Sequence, residues 1–130
     1  ERIIHAMLQD KAAYESHVRW SDLVVNFAAE THNDRSLTNP EVFVDTNIVG
    51  TKELLEVCRA EDRPLIQIST DEVYGDFPLD SKELATEESP FKPSSPYSST
   101  KAAADLLVMA WVRSFGVKAM VQVLSVPWML

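Results

Sequence analysis

Short apolar runs alternate with longer helical patterns along this 130-residue chain, and this alternation constrains the fold more than any other feature. The runs are rich in β-branched residues and occupy residues 23–28, 65–69 and 117–124. Continuous runs of this kind are typical of parallel strands that are covered on both faces of a sheet. The alternation predicts an α/β fold with right-handed βαβ units and a partial, doubly wound parallel sheet of about three strands.

Three main helices are predicted between these strands. The spacing of apolar residues places them at about 10–19, 40–61 and 96–115. Pro40 suits the first turn of the second helix, and Gly116 follows the third helix at a position where glycine commonly ends helices. The length suits one domain, so we expect residues 1–130 to form a single unit.

The composition argues against several classes of partner. A net charge of −8 disfavours nucleic acid and anionic membranes, because phosphate groups are bound by clustered lysine and arginine. No apolar run reaches the ~18 residues of a membrane span, and residues 1–5 do not resemble a signal peptide. Cys58 is the only cysteine, so we expect a small buried thiol, no intrachain disulfide and a reducing, cytoplasmic compartment. No spacing of His, Cys and Asp suggests a metal site.

Polar clusters follow the predicted strands at the edge where α/β sheets bind ligands. Residues 28–32 follow the first strand and residues 70–72 follow the second, while Tyr97 and Lys101 begin the helix before the third. Convergence of the three clusters on one edge predicts a functional site. Simpler interpretations stay open: small residues for helix packing, Asp71 and Glu72 in a short helix, and His32 as a surface histidine.

Tyr97 and Lys101 are four residues apart at the start of a helix, so both side chains share one helix face. A lysine ammonium beside a phenol favours the phenolate, and we expect it to lower the pKa of Tyr97 towards that of a general base. Any amphipathic helix can carry this pair, so the pair alone is a weak signal.

Asp71 and Glu72 add a second function to the same edge. Neighbouring carboxyl groups can act as an acid and a base when their surroundings separate their pKa values. Together with a tyrosine base, such a site can oxidise an alcohol to a ketone and eliminate water beside it. No side chain accepts a hydride, so this chemistry implies a nicotinamide cofactor.

The segment from Gly75 to Pro96 is polar and long for a connection within a compact domain. It carries five carboxylates, at Asp76, Asp80, Glu83, Glu87 and Glu88. We interpret it as a loop over the site, with a solvated acidic loop as the alternative.

Four segments resemble the dTDP-glucose 4,6-dehydratases of the extended short-chain dehydrogenase/reductase superfamily. They include Ser-Thr-Asp-Glu-Val-Tyr-Gly and the Tyr-x-x-x-Lys pair, and they occupy residues 27–36, 46–51, 69–75 and 93–102. The likeness runs from about residue 6 to 118. The Thr-Asp-Glu triplet is the more specific motif, since Tyr and Lys occur throughout the superfamily. The resemblance implies a Rossmann-like NAD-binding fold and a nucleotide-sugar substrate.

The resemblance also implies a role for each matching residue. Tyr97 would take the proton of the sugar 4-hydroxyl, and Lys101 would hold the nicotinamide ribose. Asp71 would protonate the leaving 6-hydroxyl, Glu72 would be the base at C5, and Thr70 would hydrogen-bond the 4-oxygen. The product would be a 4-keto-6-deoxy sugar nucleotide.

The same resemblance assigns residues to the cofactor and substrate sites. The NAD site would be lined, besides Tyr97 and Lys101, by Ala28, Ala29, Glu30, Thr31 and Thr46. Thr31 and Thr70 would also touch the sugar. Thr31 stands where the family usually has serine, and its hydroxyl keeps the polar function.

The chain departs from the family at both ends. The Gly-rich turn that cradles the NAD pyrophosphate is absent, as is the acidic residue for the adenosine ribose. After Met120 the likeness stops, and the C-terminal substrate part is missing. We therefore interpret the chain as an internal fragment, with a catalytically inactive or oligomerising subunit as the alternative. Another extended reductase, such as a UDP-sugar epimerase or decarboxylase, is disfavoured by Asp71 and Glu72.

The helices at 40–61 and 96–115 resemble those that pair as a four-helix bundle in dimers of this superfamily. A homodimer would use Val108, Met109 and Trp111. The alternative, in which these residues pack against the chain's own sheet, is equally open.

Overall fold

The computed structural model describes residues 3–76 and 85–124. Its sheet has three parallel strands, β1 (Val24–Asn26), β2 (Leu65–Thr70) and β3 (Ala119–Leu124), with β2 in the centre. The predicted parallel Rossmann-like arrangement is confirmed. β1 is shorter than expected because the Asn26 side chain accepts a hydrogen bond from the backbone N–H of Ala28 and turns the chain away.

In residues 3–76 and 85–124, five α-helices connect and flank the strands: α1 (Lys11–Arg19), α2 (Asn33–Thr38), α3 (Pro40–Phe43), α4 (Thr51–Ala60) and α5 (Pro96–Phe115). The three main helices are confirmed within a few residues of their predicted ends. The second is composite, since α3 continues through a π-helical segment, Val44–Gly50, into α4. The short α2 was not predicted, because six polar-rich residues give no clear helical period.

Two residues of the π-helical segment make specific tertiary contacts. Gly50 faces Leu8, and a Cβ at this position would lie 3.0 Å from the Leu8 side chain, so a larger residue would require Leu8 to shift. Asn47 is buried, and its side-chain amide makes three hydrogen bonds, two to the backbone of Glu30 and one to the hydroxyl of Thr100. Such π-helical turns are often found at functional sites, and this one faces the candidate site described below.

The hydrophobic core lies on the face of the sheet that carries Leu65. Its buried members come from α1, α4, α5 and the strands, and they are Val18, Leu54, Leu55, Val57, Cys58, Leu65, Val108 and Val117. Cys58 is 1% exposed, which confirms the predicted buried thiol. On α4 the apolar residues share one face, so their burial stabilises both the helix and its docking on the sheet.

The opposite face of the sheet is open in the part of the chain that the structure describes. Val25, Met120 and Leu124 point to this face and are between 43% and 52% exposed. In the described residues the helices therefore pack mainly on the side of Leu65 and leave these three side chains partly exposed.

Helix α5 has well-defined ends. Ser95 and Ser98 form a capping box at its start, where Pro96 is the first helical residue. Gly116 ends the helix in the left-handed conformation, with φ of 68°, as expected for a glycine at this position.

The residues of α5 that we expected in a dimer contact have different environments. Val108 is 1% exposed and belongs to the core, so the dimer assignment of this residue is wrong. The indole N–H of Trp111 donates to Glu56 Oε1 over 2.6 Å, which ties α5 to α4 within one chain. Met109 is 48% exposed and stays available to a partner.

The loop from Gly75 to Pro96 is described only in part, since residues 77–84 of this segment lie outside the described residues. Its second half returns to the end of β2: the backbone N–H of Lys92 donates to the carbonyl of Val73, and Phe91 packs against Tyr74. Among the helices that the structure describes, none combines the length and apolar character needed to cross a membrane.

Candidate active site at the carboxyl edge of the sheet

The turn after β2 presents the two neighbouring acids. Residues Asp71–Tyr74 form a 3₁₀ turn whose N-cap is Thr70. The Thr70 hydroxyl accepts a hydrogen bond from the Glu72 backbone N–H and donates to Asp71 Oδ1, both over 3.3 Å. The interpretation of these acids as part of a short helix is thus correct, with Thr70 rather than an acid as the cap. This turn holds Asp71 and Glu72 half-buried at the sheet edge.

The phenol of Tyr97 lies beside this turn. Its ring packs edge-on against buried Phe43, with the ring centroids 6.3 Å apart. Burial and, next, the charge of Glu72 raise the pKa of Tyr97 above its ordinary value, and the charge of Asp71 adds to this. A hydrogen bond with Thr70 acts in the opposite direction. The structure therefore brings Thr70, Asp71, Glu72 and Tyr97 together, as the sequence predicted.

Lys101 is buried beside the central strand, and its role towards a cofactor remains a prediction. Its side chain is 5% exposed, and Nζ donates to the carbonyl oxygen of Ile68 over 2.6 Å. Burial lowers the pKa of Lys101, while the charge of Asp105 opposes this. The charge of Lys101 is not among the causes that change the pKa of Tyr97 in the described part of the chain. The expected lowering of the Tyr97 pKa is therefore wrong for this chain, because burial and the charge of Glu72 raise that pKa.

Asp105 is a buried carboxyl group that sequence reasoning missed. Its Oδ2 atom accepts a 2.5 Å hydrogen bond from Ser69 Oγ, while Oδ1 has no hydrogen-bond partner among the described residues. Burial raises the pKa of Asp105 to about 6, with the Ser69 hydrogen bond and the charge of Lys101 opposing this. Its position four residues after Lys101 could have indicated that it shares the same helix face.

The loop after β1 is locked to α5 through Asn47. The Asn47 side chain bonds both backbone groups of Glu30, with Oδ1 accepting from the N–H over 2.8 Å and Nδ2 donating to the carbonyl over 3.1 Å. Nδ2 also donates to Thr100 Oγ1 over 3.0 Å. One buried amide thus fixes the loop that carries the predicted cofactor residues against the helix of Tyr97.

The other predicted cofactor residues lie along these two segments. Ala28 and Thr31 are exposed, whereas Ala29 and Thr46 are half-buried. The Glu30 carboxylate pairs with Arg35 over 3.0 Å, so its charge is directed towards α2. Their roles towards a cofactor remain predictions.

Asn33 is a second residue that the sequence did not indicate. This first residue of α2 donates from Nδ2 to Glu72 Oε2 over 2.8 Å and accepts from Ser95 Oγ over 2.7 Å. A single asparagine gives no pattern at the sequence level, so only the tertiary structure reveals the bridge.

Two cavities lie near the sheet in the residues that the structure describes, and Tyr97 and Glu72 line neither of these two. One, of about 550 Å³, lies between α5 and β3 and includes Asp105 in its wall. The other, of about 370 Å³, lies between residues 4–8, α1 and β1. The cluster of Thr70, Asp71, Glu72 and Tyr97 at the sheet edge is separate from both of these cavities. Within the described ranges no group of three or more His, Cys, Asp or Glu could hold a metal ion.

The amino-acid sequence matches the model of one protein family. The family model described as GDP-mannose 4,6 dehydratase matches residues 2–126. The chain belongs to this dehydratase family. Among curated proteins, the dTDP-glucose 4,6-dehydratase of Mycolicibacterium smegmatis is 53% identical over 118 residues, which are 91% of this chain and 36% of that protein. The Salmonella typhimurium protein of the same name is 46% identical. The matched region is 77% of this chain and 32% of that protein.

Solved structures of the dehydratase family and its neighbours share the fold. DesIV, a dTDP-glucose 4,6-dehydratase from Streptomyces venezuelae with NAD bound, superposes with a TM-score of 0.88 at 36% identity, covering 94% of this chain and 37% of that chain. The UDP-glucose 4-epimerase of Thermus thermophilus, also with NAD, gives a TM-score of 0.82 at 31% identity, covering 89% of this chain and 38% of the epimerase. The chain thus spans little more than a third of the proteins it matches.

Proposed function

We propose that this chain carries the catalytic edge of an NAD-dependent sugar-nucleotide 4,6-dehydratase, of the type that converts dTDP-glucose to dTDP-4-keto-6-deoxyglucose. One observation carries the proposal: the half-buried Thr70, Asp71 and Glu72 surround the phenol of Tyr97 closely enough to shift its pKa. A base, a hydroxyl and two acids at one sheet edge suit an oxidation coupled to loss of water.

The residues present fit the nicotinamide half of NAD. The Asn47 hydrogen bonds hold the loop after β1 against α5, and this loop offers small side chains beside the phenol-bearing helix. The cofactor would be held by Ala28, Ala29, Glu30, Thr31, Thr46, Tyr97 and Lys101. The glycines of the chain, Gly50, Gly75 and Gly116, form no phosphate-binding turn, so these residues offer no cradle for the pyrophosphate. When bound, NAD would supply the reversible hydride-transfer chemistry that oxidation at C4 and reduction at C6 of the sugar require.

Tyr97 acts on the sugar 4-hydroxyl. It takes the hydroxyl proton while the C4–H bond is broken, so that a C4 ketone forms. Thr70 hydrogen-bonds the 4-oxygen, and its bond to the phenol is the contact that acts to lower the pKa of Tyr97. Thr70 therefore assists both the base and the substrate oxygen.

Asp71 and Glu72 carry out the elimination. The C4 ketone acidifies the C5–H bond, and Glu72 removes that proton. The electron pair forms the C5–C6 double bond as the C6–O bond breaks, and Asp71 protonates the departing hydroxyl to give water. Return of the hydride to C6 and of a proton to C5 completes the 4-keto-6-deoxy sugar.

The substrate would be a nucleotide sugar, and the protein would act in the cytoplasm. A homodimer would use α5 and the composite helix at 40–60, where Met109 and Val49 are at least 40% exposed. Gel filtration of the chain tests this, and a clean monomer would contradict it.

The activity is tested with the full-length product of the gene and with the 130-residue chain. Each is incubated with NAD and with dTDP-glucose, UDP-glucose or GDP-mannose, and the 4-keto product is detected by its ultraviolet absorbance in alkali. We expect product from the full-length protein and its loss in Glu72→Gln. Glu87→Gln, the same change at an exposed carboxylate in the loop from Gly75 to Pro96, is the matched control and should retain activity. Absence of product with all three sugars would refute the proposal.

A second candidate is a non-catalytic oligomerising subunit, and the lack of a glycine-rich turn favours it for the 130 residues taken alone. Calorimetric titration with NAD separates the two. Micromolar binding to the chain would contradict the non-catalytic candidate. Conversion of UDP-glucose to its C4 epimer without loss of water would instead indicate an epimerase.

A further inference from the structure

A single side-chain amide joins three segments of the candidate site. Asn33 Nδ2 donates to Glu72 Oε2 over 2.8 Å, and Asn33 Oδ1 accepts from Ser95 Oγ over 2.7 Å. Ser95 is the N-cap of α5, and its oxygen accepts from the backbone N–H of Ser98. The bridge therefore links the segment after β1, the turn after β2 and the helix that carries Tyr97.

We propose that Asn33 is a positioning residue, which holds the Glu72 carboxylate at a fixed place relative to Tyr97. This inference rests on the proposed function, in which Glu72 is the base at C5 and Tyr97 the base at the 4-hydroxyl. The two bases act on neighbouring carbons of one sugar, so their separation must be fixed. No direct hydrogen bond between Glu72 and Tyr97 fixes it in the described residues, and the Asn33 bridge supplies the link.

The chemistry of the partners sets the direction of both hydrogen bonds. An ionised carboxylate only accepts, so the NH₂ group of Asn33 faces Glu72. The Ser95 oxygen already accepts from Ser98, which leaves its hydroxyl proton for Asn33 Oδ1. An amide offers a donor and an acceptor on opposite sides, whereas Asp at position 33 would place a second carboxylate against Glu72.

Loss of the Asn33 bridge would free the Glu72 side chain, which has three rotatable bonds. Glu72 would then sample several rotamers, and its carboxylate would spend less time at C5. A misplacement of about 1 Å near a reacting atom costs on the order of 100-fold in rate. The capping box of α5 does not depend on Asn33, because Ser95 and Ser98 satisfy each other, so the helix should survive the change.

Kinetics of the full-length gene product test the role. Asn33→Leu, which keeps the size but removes both hydrogen bonds, should lower kcat about 10- to 100-fold while KM stays within about threefold. With sugar deuterated at C5, the isotope effect on kcat should rise in this variant, while the effect of deuterium at C4 should not. Asn39→Leu is the matched control, since Asn39 lies just after the other end of α2 and its side chain caps no helix.

The outcomes separate this inference from the proposed function. A wild-type protein that forms no 4-keto product overturns both. If the wild type is active but Asn33→Leu and Asn39→Leu have the same kinetics, only the positioning role is overturned. The same holds if Asn33→Leu slows the C4 and C5 steps equally.

A second measurement does not depend on activity. In the folded 130-residue chain, NMR should show the side-chain amide protons of Asn33 exchanging with solvent at least about threefold more slowly than those of Asn39, because a hydrogen-bonded amide must open first. Glu72→Ala should remove most of this difference. Equal exchange at the two asparagines would overturn the bridge.

Discussion

Asp105 Oδ2 and Ser69 Oγ are 2.5 Å apart in the buried space between α5 and the central strand. This contact joins the helix of Tyr97 to the strand that ends in the acid pair. The other carboxyl oxygen of Asp105 has no hydrogen-bond partner in the described residues, and the pKa of the group is raised to about 6. A buried acid of this kind favours its neutral form, and it makes the stability of the chain depend on pH.

The first prediction concerns this pH dependence. The pKa of Asp105 is higher in the folded chain than the ordinary value of 3.8, so the folded state binds more protons between these two values. Stability from Asp105 is therefore fully present below about pH 4 and is lost as the pH rises to about 6, by up to about 3 kcal/mol. Urea unfolding of the chain between these pH values should show this fall, and Asp105→Asn should flatten it.

Three other acids affect the stability of the chain in a lower pH range, and they serve as the control for that experiment. Glu53, Glu61 and Asp62 have lowered pKa values, chiefly because each accepts a hydrogen bond from a lysine or arginine. Their contribution is lost only as the pH falls below their ordinary range. A fall in wild-type stability with rising pH that persists unchanged in Asp105→Asn would contradict the assignment.

The second prediction concerns the phenol of Tyr97. Since the charge of Glu72 raises its pKa and a hydrogen bond with Thr70 lowers it, Glu72→Gln should lower the pKa of Tyr97 and Thr70→Val should raise it. NMR titration of ¹³C-labelled tyrosine, assigned with Tyr97→Phe, measures both shifts. Tyr14 is the internal reference, because its pKa of about 12 has causes other than Thr70 and Glu72. Shifts of the same sign in both variants would refute the arrangement.

The third prediction concerns the thiol of Cys58. Burial raises the pKa of Cys58 to about 11, so very little thiolate is present at pH 8 in the folded chain. We expect alkylation by iodoacetamide to be at least ~100-fold slower than in the chain unfolded in urea, where the thiol has an ordinary pKa. Comparable rates in the two states would show that α4 does not pack on the sheet as described.

The fourth prediction concerns the core. Leu55 is fully buried between α4 and the sheet, so Leu55→Ala should lower the free energy of unfolding by about 2–5 kcal/mol. Leu106→Ala makes the same chemical change at a site on α5 that is 54% exposed, and it should cost less than about 1 kcal/mol. Denaturant unfolding of the two variants gives the comparison. Equal losses would contradict the burial of Leu55.

Several features could be predicted from the sequence for local physical reasons. The three main helices follow from apolar spacing, and Pro96 and Gly116 mark the start and end of α5. The parallel strands follow from β-branched runs separated by helices. The approach of Tyr97 to residues 70–72 follows from topology, because the carboxyl ends of parallel strands meet at one edge.

Other features depend on contacts between distant residues and had no local signal. Asn47 in the π-helical turn bonds both Glu30 and Thr100, which are far from it in sequence. The open second face of the sheet likewise depends on which elements pack against it.

The sequence by itself determined the alternation of strands and helices, the edge at which the polar residues gather and the family, because these depend on periodicity and on short motifs. Only the tertiary structure decided the pKa shifts and the hydrogen-bond partners within the site. It raised the pKa of Tyr97, turned Lys101 towards Ile68 and paired Asn33 with Glu72. The physical reason is that pKa values and hydrogen-bond partners depend on burial and distance, which spacing along the chain does not specify.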